Sequence, residues 1–437
     1  MTTAGEPLGT ADRRGPAIGD DAARDAVARA RAEELALVRF LYVDHGGIVR
    51  GKAVSADRLP ERMVSGIGHT VAMMAMSMLD DLRPADGMGP VGEVRIVPDP
   101  ATFVSLPYAP GAGAMLADLV RPDGQPWDAC ARTFLKQAIA ALAADGYGLN
   151  AAFEPEFTLG RRQASRTAGQ TGWFRSMTAC ATQRPASISR TTTPWSCLGA
   201  LQAQGLRVEH YYPELGHGQQ EMSIGHAPAL RAADNHVLYR ESVRGIAFRR
   251  GLWASLAPKP IPDQAGNGTH LHGSLTDLNS DGSPRARNLF HAGDQFGLSA
   301  PGYHFIAGLL AHLPARTALT CASVNSYRRL VPQSWSSAYT IYGMDNREAA
   351  VRICSPLHGD AASSVNLELK PSDSSANPYL ALGAFIYAGL DGIRGKLDPG
   401  EAVNVDPAAL SAAQRTALGA CRTRSVPRWT PWPPTRC

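Results

Sequence analysis

The order of apolar and polar positions along the chain shifts between two periods. Behind Asp20 and Asp21, DAARDAVARARAEELA spaces its alanines as one face of a helix, after a polar tail at 1–18 whose pattern supports no packed element. LVRFLYVD and GIVRGKAV then run as strands on either side of the turn Asp44-His45-Gly46-Gly47. VRIVPDP, TFVSLPY and AGAMLADLV add short strands, so residues 36–121 read as a small antiparallel α+β unit behind a tail and helix at 1–35. Residues 122–437 form a second, larger domain. It opens with a helix at about 129–145, closed by Gly146, and continues with a strand at 150–159. A helix is expected over Ala229–Gly251, and an apolar helix begins near Pro378.

Composition changes this picture in one respect. The net charge of +4 is not spread over the fold. Residues 161–200 hold six Arg and 421–437 hold four, with no Asp, Glu or Lys in either, so the remainder carries −6. A basic balance confined to two stretches is not a nucleic-acid footprint, and no nucleic-acid motif accompanies it. No apolar run approaches a membrane span, and the polar opening has no signal-peptide core. Seven cysteines without regular spacing argue against a disulfide framework and for a cytoplasmic protein.

Three stretches concentrate chemistry. AAFEPEFTL puts Glu154 and Glu156 on one face of a strand, since residues i and i+2 point the same way. YYPELGHGQQE sets Glu214 and Glu221 around a Gly-rich bend, and GNGTHLHGSL places His270 and His272 two apart. Carboxylates side by side are costly unless a cation compensates them. Hard oxygens with imidazole suit Mg²⁺ or Mn²⁺ better than zinc. The plain reading of the glutamates is a solvated strand face, and of a lone His a structural one. Arg328, Arg329, Arg347 and Arg352 each read singly as surface charges. Together, beside a carboxylate cluster, they suit polyphosphate, whose oxygens match the guanidinium fork. NLELKP adds Glu368.

In order, FEPEF, PELGHGQQE, the helix with Asp234-Asn235, APKP, GNGTHLHGSL, NSYRRLVP, DNREAAVRI and LELKPSDSSANPYLALGAFIYAGLDGI resemble the glutamine synthetase family over roughly residues 36–420. The resemblance implies an α+β fold: a β-grasp N-terminal domain, then a catalytic domain with a curved antiparallel sheet flanked by helices. It also implies a homo-oligomeric ring with active sites between subunits. Carried across by position, Glu156, Glu214 and Glu221 match the ligands of one metal, and Glu154, His270 and Glu368 those of a second. His272, Arg347 and Arg352 match ATP and phosphate contacts. Gly266 and Arg329 match contacts to the amino-acid substrate, with Arg329 and Arg347 in catalytic roles. Lys370 stands where the family often has Arg, so the fork that clamps a carboxylate bidentately is missing. The implied reaction consumes ATP, with two or more Mg²⁺ or Mn²⁺ per site, and passes glutamate through a γ-glutamyl phosphate to an amine.

Departures from the family pattern bear on that amine. Ammonia-using members carry an acid in the flap after the NSYxRLVP motif; here that position is Trp335, in VPQSWSSAY. A second acid, supplied by a neighbouring subunit, aligns with Thr70, and an Asn before the metal-binding His is Ala265. An indole suits an organic amine with an apolar body and an ammonium head. The expected activity is therefore a glutamate–amine ligase, resembling γ-glutamylpolyamine or γ-glutamyl-monoamine synthetases. The alternatives are an ammonia-using glutamine synthetase and a non-catalytic homologue.

Two stretches resemble nothing in the family. Residues 161–198 and 421–437 are rich in Arg, Pro, Trp and Cys and lack acids, as GC-rich coding text is when read out of frame. Shifting the frame over Phe174–Gly199, with suitable codons, gives PVDDRLRYSTAGFDLANDYALELLG, which is acidic and helix-compatible. The expectation is a frameshift artefact, with low order at 161–198 and after about 420. A genuine disordered insertion or a basic interaction loop are the rival readings.

Overall fold

The computed structural model describes residues 20–162, 174–176 and 193–421. The N-terminal unit packs helix Asp20–Ala32 on a six-stranded sheet. Its strand order is Val49–Ser55, Leu37–Val43, Ala112–Val120, Glu93–Pro98, Ile67–Thr70, with Val104–Ser105 also on Ala112–Val120. LVRFLYV is apolar on both faces for a reason. Val38, Phe40 and Tyr42 pack with Ala26, Leu59 and Met63 in a small core. Leu41 and Val43 face the other way, into the large core of the second domain. The antiparallel reading needs correction here. Leu37–Val43 runs parallel to Ala112–Val120, and the long chain between them supplies the crossover that a parallel pair demands.

The second domain is built on an eleven-stranded sheet. Its main path is Tyr339–Met344, Ala349–Cys354, Asn366–Leu369, Thr269–Leu278, Gly148–Arg162, Gln219–Ile224, Val208–Pro213. Gly148–Arg162 is its axis and also pairs with Phe174–Ser176, Ala227–Pro228 and Trp253–Ser255. This sheet is mixed as well. Tyr339–Met344 and Ala349–Cys354 run parallel, joined only by residues 345–348, where Asp345 turns left-handed at φ 49°.

Helices Ala131–Ala144, Ala229–Arg249, Ala300–Ala311 and Pro378–Gly395 cover the sheet. Two glycines set the closest crossing. A Cβ on Gly308 would sit 2.0 Å from the Ala388 carbonyl, and one on Gly392 2.0 Å from that of His304. The last long helix starts at Pro378 behind the N-cap Asn377, whose Oδ1 accepts from the amides of Tyr379 and Leu380. The Asn377 amide donates to the carbonyls of Val43 and Asp44, tying the two domains together.

Parts of the acid-free stretch take defined places. Arg161 and Arg162 end the central strand, Phe174–Ser176 pairs with it, and Thr193–Ala203 is a helix with Cys197 and Leu201 buried. Each of these described segments has a strand or an apolar core to pack against. The remainder of 161–198, residues 422–437 and the tail at 1–18 lie outside the described residues. Among the described residues no helix is long and apolar enough to cross a membrane.

Candidate active site

Strand register assembles the site. Glu154 stands directly opposite His270, and Glu156 opposite Glu221. One rung further along, His272 faces Glu368, which faces Arg352. Five strands thus bring together residues far apart in sequence, all projecting from one face because alternate residues share a side. His270 Nδ1 lies 3.2 Å from Glu154 Oε2 and 3.1 Å from Glu368 Oε1. His272 Nε2 lies 3.5 Å from Glu154 Oε2 and 4.0 Å from Glu368 Oε1.

The two halves of the cluster differ in charge balance. Glu221 is buried, and burial followed by the charges of Glu154, Glu156 and Glu214 pushes its carboxyl up to about 9. Burial and then Glu156 and Glu154 raise Glu214 as well. Burial alone would also raise Glu154 and Glu368. Hydrogen bonds from His270 and His272 outweigh it at Glu154, and the Lys370 charge with His270 outweighs it at Glu368, holding both well below the usual carboxylate range. Arg352 Nε stands 2.9 Å from Glu368 Oε2, and Lys370 Nζ 3.4 Å from Oε1.

These residues fit hard divalent cations. Four carboxylates repel one another on the Glu221 side, and on the other side Glu154, His270, His272 and Glu368 turn hard oxygens and imidazole nitrogens toward one another. Among the described residues two groups bring ligand atoms within 4.8 Å of one another: Glu154, His272 and Glu368, and Glu154, His210 and Glu221. A cation there would restore the balance. Supporting contacts orient the carboxylates. Gln219 Nε2 donates to Glu156 Oε2 at 2.6 Å and to the Gly266 carbonyl at 2.9 Å. Ser223 Oγ donates to Glu221 Oε1 at 3.1 Å, and His272 Nδ1 meets Asn366 Oδ1 at 2.9 Å.

Glycine at 266 and 268 is a requirement of space. A Cβ on Gly268 would come within 2.6 Å of His270 Nε2 and 3.1 Å of Glu156 Oε1. One on Gly266 would meet the Pro258 carbonyl at 2.4 Å and Arg329 Cγ at 2.8 Å. Arg329 is buried, and its Nη2 donates to the carbonyls of Lys370 and Ser372 while Nε has no partner. The Arg residues read as a set therefore separate. Arg352 joins the cluster and Arg329 lies beside Gly266. Arg347 is exposed, with no ion pair among the described residues.

After Arg329 the chain forms a loop, Val331–Ala338, that bears Trp335. The indole residue is 56% exposed. Gln333, Trp335 and Ser337 are all left-handed, at φ 61°, 52° and 69°. Each such non-glycine residue costs about 1–2 kcal/mol, so the loop is held by its contacts.

Sequence reasoning missed several members: His210, Gln219, Ser223, Asn366 and Glu348. His210 and Ser223 face each other across paired strands, a relation that only register reveals. Gln219 sits inside the PELGHGQQE motif, and its position next to Glu221 is the one signal that was available.

Comparison with known proteins places this arrangement. Residues 22–127 match the family model described as the glutamine synthetase N-terminal domain, and residues 128–427 match the glutamine synthetase catalytic domain. The chain is 36% identical over 392 residues to γ-glutamylpolyamine synthetase GlnA3 of Streptomyces coelicolor, covering 88% of this chain and 81% of that protein. It is 33% identical over 401 residues to glutamine synthetase of Halobacterium salinarum, covering 89% and 82%. Among solved structures, a GmaS/ADP complex superposes with a TM-score of 0.75 at 29% identity, covering 91% of this chain and 86% of the other. A novel glutamine synthase homolog gives 0.74 at 35% identity, covering 83% and 84%.

Proposed function

The chain belongs to the glutamine synthetase family and is an ATP-dependent carbon–nitrogen ligase; from that premise we propose that it joins the γ-carboxylate of glutamate to an organic amine. The observation that carries the acceptor reading is Trp335. It stands exposed in the flap where ammonia-using members have an acid. A flap without that carboxylate has little attraction for a small ammonium, whereas an indole offers apolar surface and a cation–π face. The likeness to the polyamine synthetase of Streptomyces coelicolor supports the same direction.

In this reading Glu156, Glu214 and Glu221 hold one divalent cation, and Glu154, Glu368 and His270 a second, with His272 close enough to Glu154 and Glu368 to share it. Such cations supply charge neutralisation on the polyphosphate during transfer. Arg352 and the exposed Arg347 bind ATP phosphates, and His272 lines the same side. Arg329 and Gly266 hold glutamate, and Lys370 contributes a single positive charge there. The γ-carboxylate attacks the terminal phosphoryl group, ADP leaves, and γ-glutamyl phosphate forms. The amine then attacks the activated carbonyl and phosphate departs. The protein's contribution is placement and a preorganised field. We further propose that the protein is cytoplasmic and forms a homo-oligomeric ring in which a neighbouring subunit's Thr70 region closes the acceptor side; its described cysteines are free and buried.

The test is metal-dependent ATP turnover by the purified chain with glutamate and a panel of amines, ammonia included. Expected is faster turnover with at least one organic amine than with ammonia, and loss of turnover in Glu214→Ala. Equal or faster turnover with ammonia than with every amine would overturn the acceptor assignment.

A further inference from the structure

Glu348 lies outside the roles assigned so far. It is buried, 5% exposed, in the short return between Tyr339–Met344 and Ala349–Cys354. No cation pairs with it among the described residues. Its carboxylate is occupied by the flap instead. Oε2 accepts from the Gln333 amide at 3.2 Å, and Oε1 from the Trp335 amide at 2.6 Å. These two donors belong to left-handed residues two apart. Alternating left-handed residues turn their amides to one side and form a concave anion receptor. Here the receptor is filled by a side chain of the same protein.

The rest of the flap is fastened around this contact. Ser334 and Ser336 donate their hydroxyls to the Arg329 carbonyl at 3.2 and 2.5 Å, and Ser337 donates to that of Ala349 at 2.6 Å. The Glu348 amide donates to Asn346 Oδ1 at 2.9 Å, which fixes the carboxylate's own backbone. The strand Ala349–Cys354 thus follows directly on Glu348 and carries Arg352 further along.

We propose that Glu348 is the positioning residue of the flap: its carboxylate holds Gln333 and Trp335 in their left-handed conformations and so fixes where the indole meets the acceptor. The acceptor part rests on the ligase reading above; the anchoring of the loop does not. A glutamine at 348 keeps the shape but turns one acceptor oxygen into a donor facing an amide, and it removes the charge.

Two measurements on the full chain test this. The first is amide hydrogen exchange of residues 331–338 in Glu348→Gln, compared with the site strands. The second is KM for the acceptor amine against KM for ATP. Expected is roughly ten-fold faster exchange confined to the flap and a roughly ten-fold higher acceptor KM with the ATP KM little changed. Adding Gln333→Gly to Glu348→Gln restores part of the protection, because glycine adopts that conformation without an anion to hold it. Unchanged flap exchange in Glu348→Gln overturns the anchor. Faster exchange with an unmoved acceptor KM overturns its effect on the acceptor. If the wild-type chain shows no acceptor-dependent ATP turnover, the ligase reading fails instead, and hydrogen exchange still decides the anchor.

Discussion

At the scale of single residues, the carboxylate cluster makes a prediction about the protein without its cations. Glu221 is raised from 4.5 to about 9 by burial and by Glu154, Glu156 and Glu214. The folded chain therefore holds a proton that the unfolded chain releases between those two values. Native protein binding more protons means that stability falls as pH rises across that window, by up to about 1.4 kcal/mol per unit for one group. In chelator, the melting temperature should fall from pH 6 to pH 9. Saturating Mg²⁺ or Mn²⁺ should flatten the slope, and Glu221→Gln should flatten it without metal. A slope that is equal with and without metal would remove the cation from this cluster. Glu154 and Glu156 were legible because period two puts them on one face. Their partnership with Glu221 and His270 was not, because it depends on which strands pair. Glu348 was invisible for the same reason: in sequence it is an acid next to an arginine, and only the folded flap shows what it holds.

At the scale of elements, the glycines of the histidine strand's approach test whether close packing builds the site. Gly268→Ala puts a methyl 2.6 Å from His270 Nε2, against a side chain that already bridges Glu154 and Glu368. The ring must turn away or the strand must shift. Loss of such support costs about ten- to a hundred-fold in metal affinity. Titrating Mn²⁺ into Gly268→Ala should show that loss with little change in secondary structure; unchanged affinity would mean that His270 stands outside the cation site. The strands themselves were legible from alternation, and the helices Ala131–Ala144, Ala229–Arg249 and Pro378–Gly395 fell close to their expected limits. The parallel pairs were not legible, since a strand's apolar pattern says which face is buried and nothing about a neighbour's direction. The helix Thr193–Ala203 was obscured by the acid-free text upstream of it; its burial of Cys197 and Leu201 shows how little apolar patterning is needed where a core already waits.

At the scale of the whole molecule, one buried arginine holds the domains in register. Arg132 is 2% exposed and reaches three carboxylates. Its Nε and Nη2 grip Asp234 at 3.0 and 2.9 Å, Nη2 also meets Asp99 at 2.8 Å, and Nη1 meets Asp118 at 3.2 Å. Tyr379 donates to Asp234 at 2.7 Å from the last long helix. Asp99 and Asp118 belong to the N-terminal unit, whereas Asp234 and Tyr379 belong to helices of the second domain. The small domain is thus joined to the large one by charge as well as by the Asn377 contacts. Removing the guanidinium leaves the enclosed Asp234 and its neighbour Asp99 without their cation, while Asp118 keeps Lys136 at 2.5 Å; the loss costs about 3–5 kcal/mol. Arg132→Met keeps most of the volume and loses the charge, so cavity formation contributes little to its effect. Its melting temperature should drop steeply at pH 7. Acidification toward the carboxylate range should recover part of the loss, because protonation removes the repulsion that the arginine had balanced. Arg132→Met together with Asp234→Asn should recover part of it at pH 7 as well, since the enclosed charge is then gone. A drop that neither acid nor the second substitution relieves would mean that Arg132 acts by packing and not by its charge.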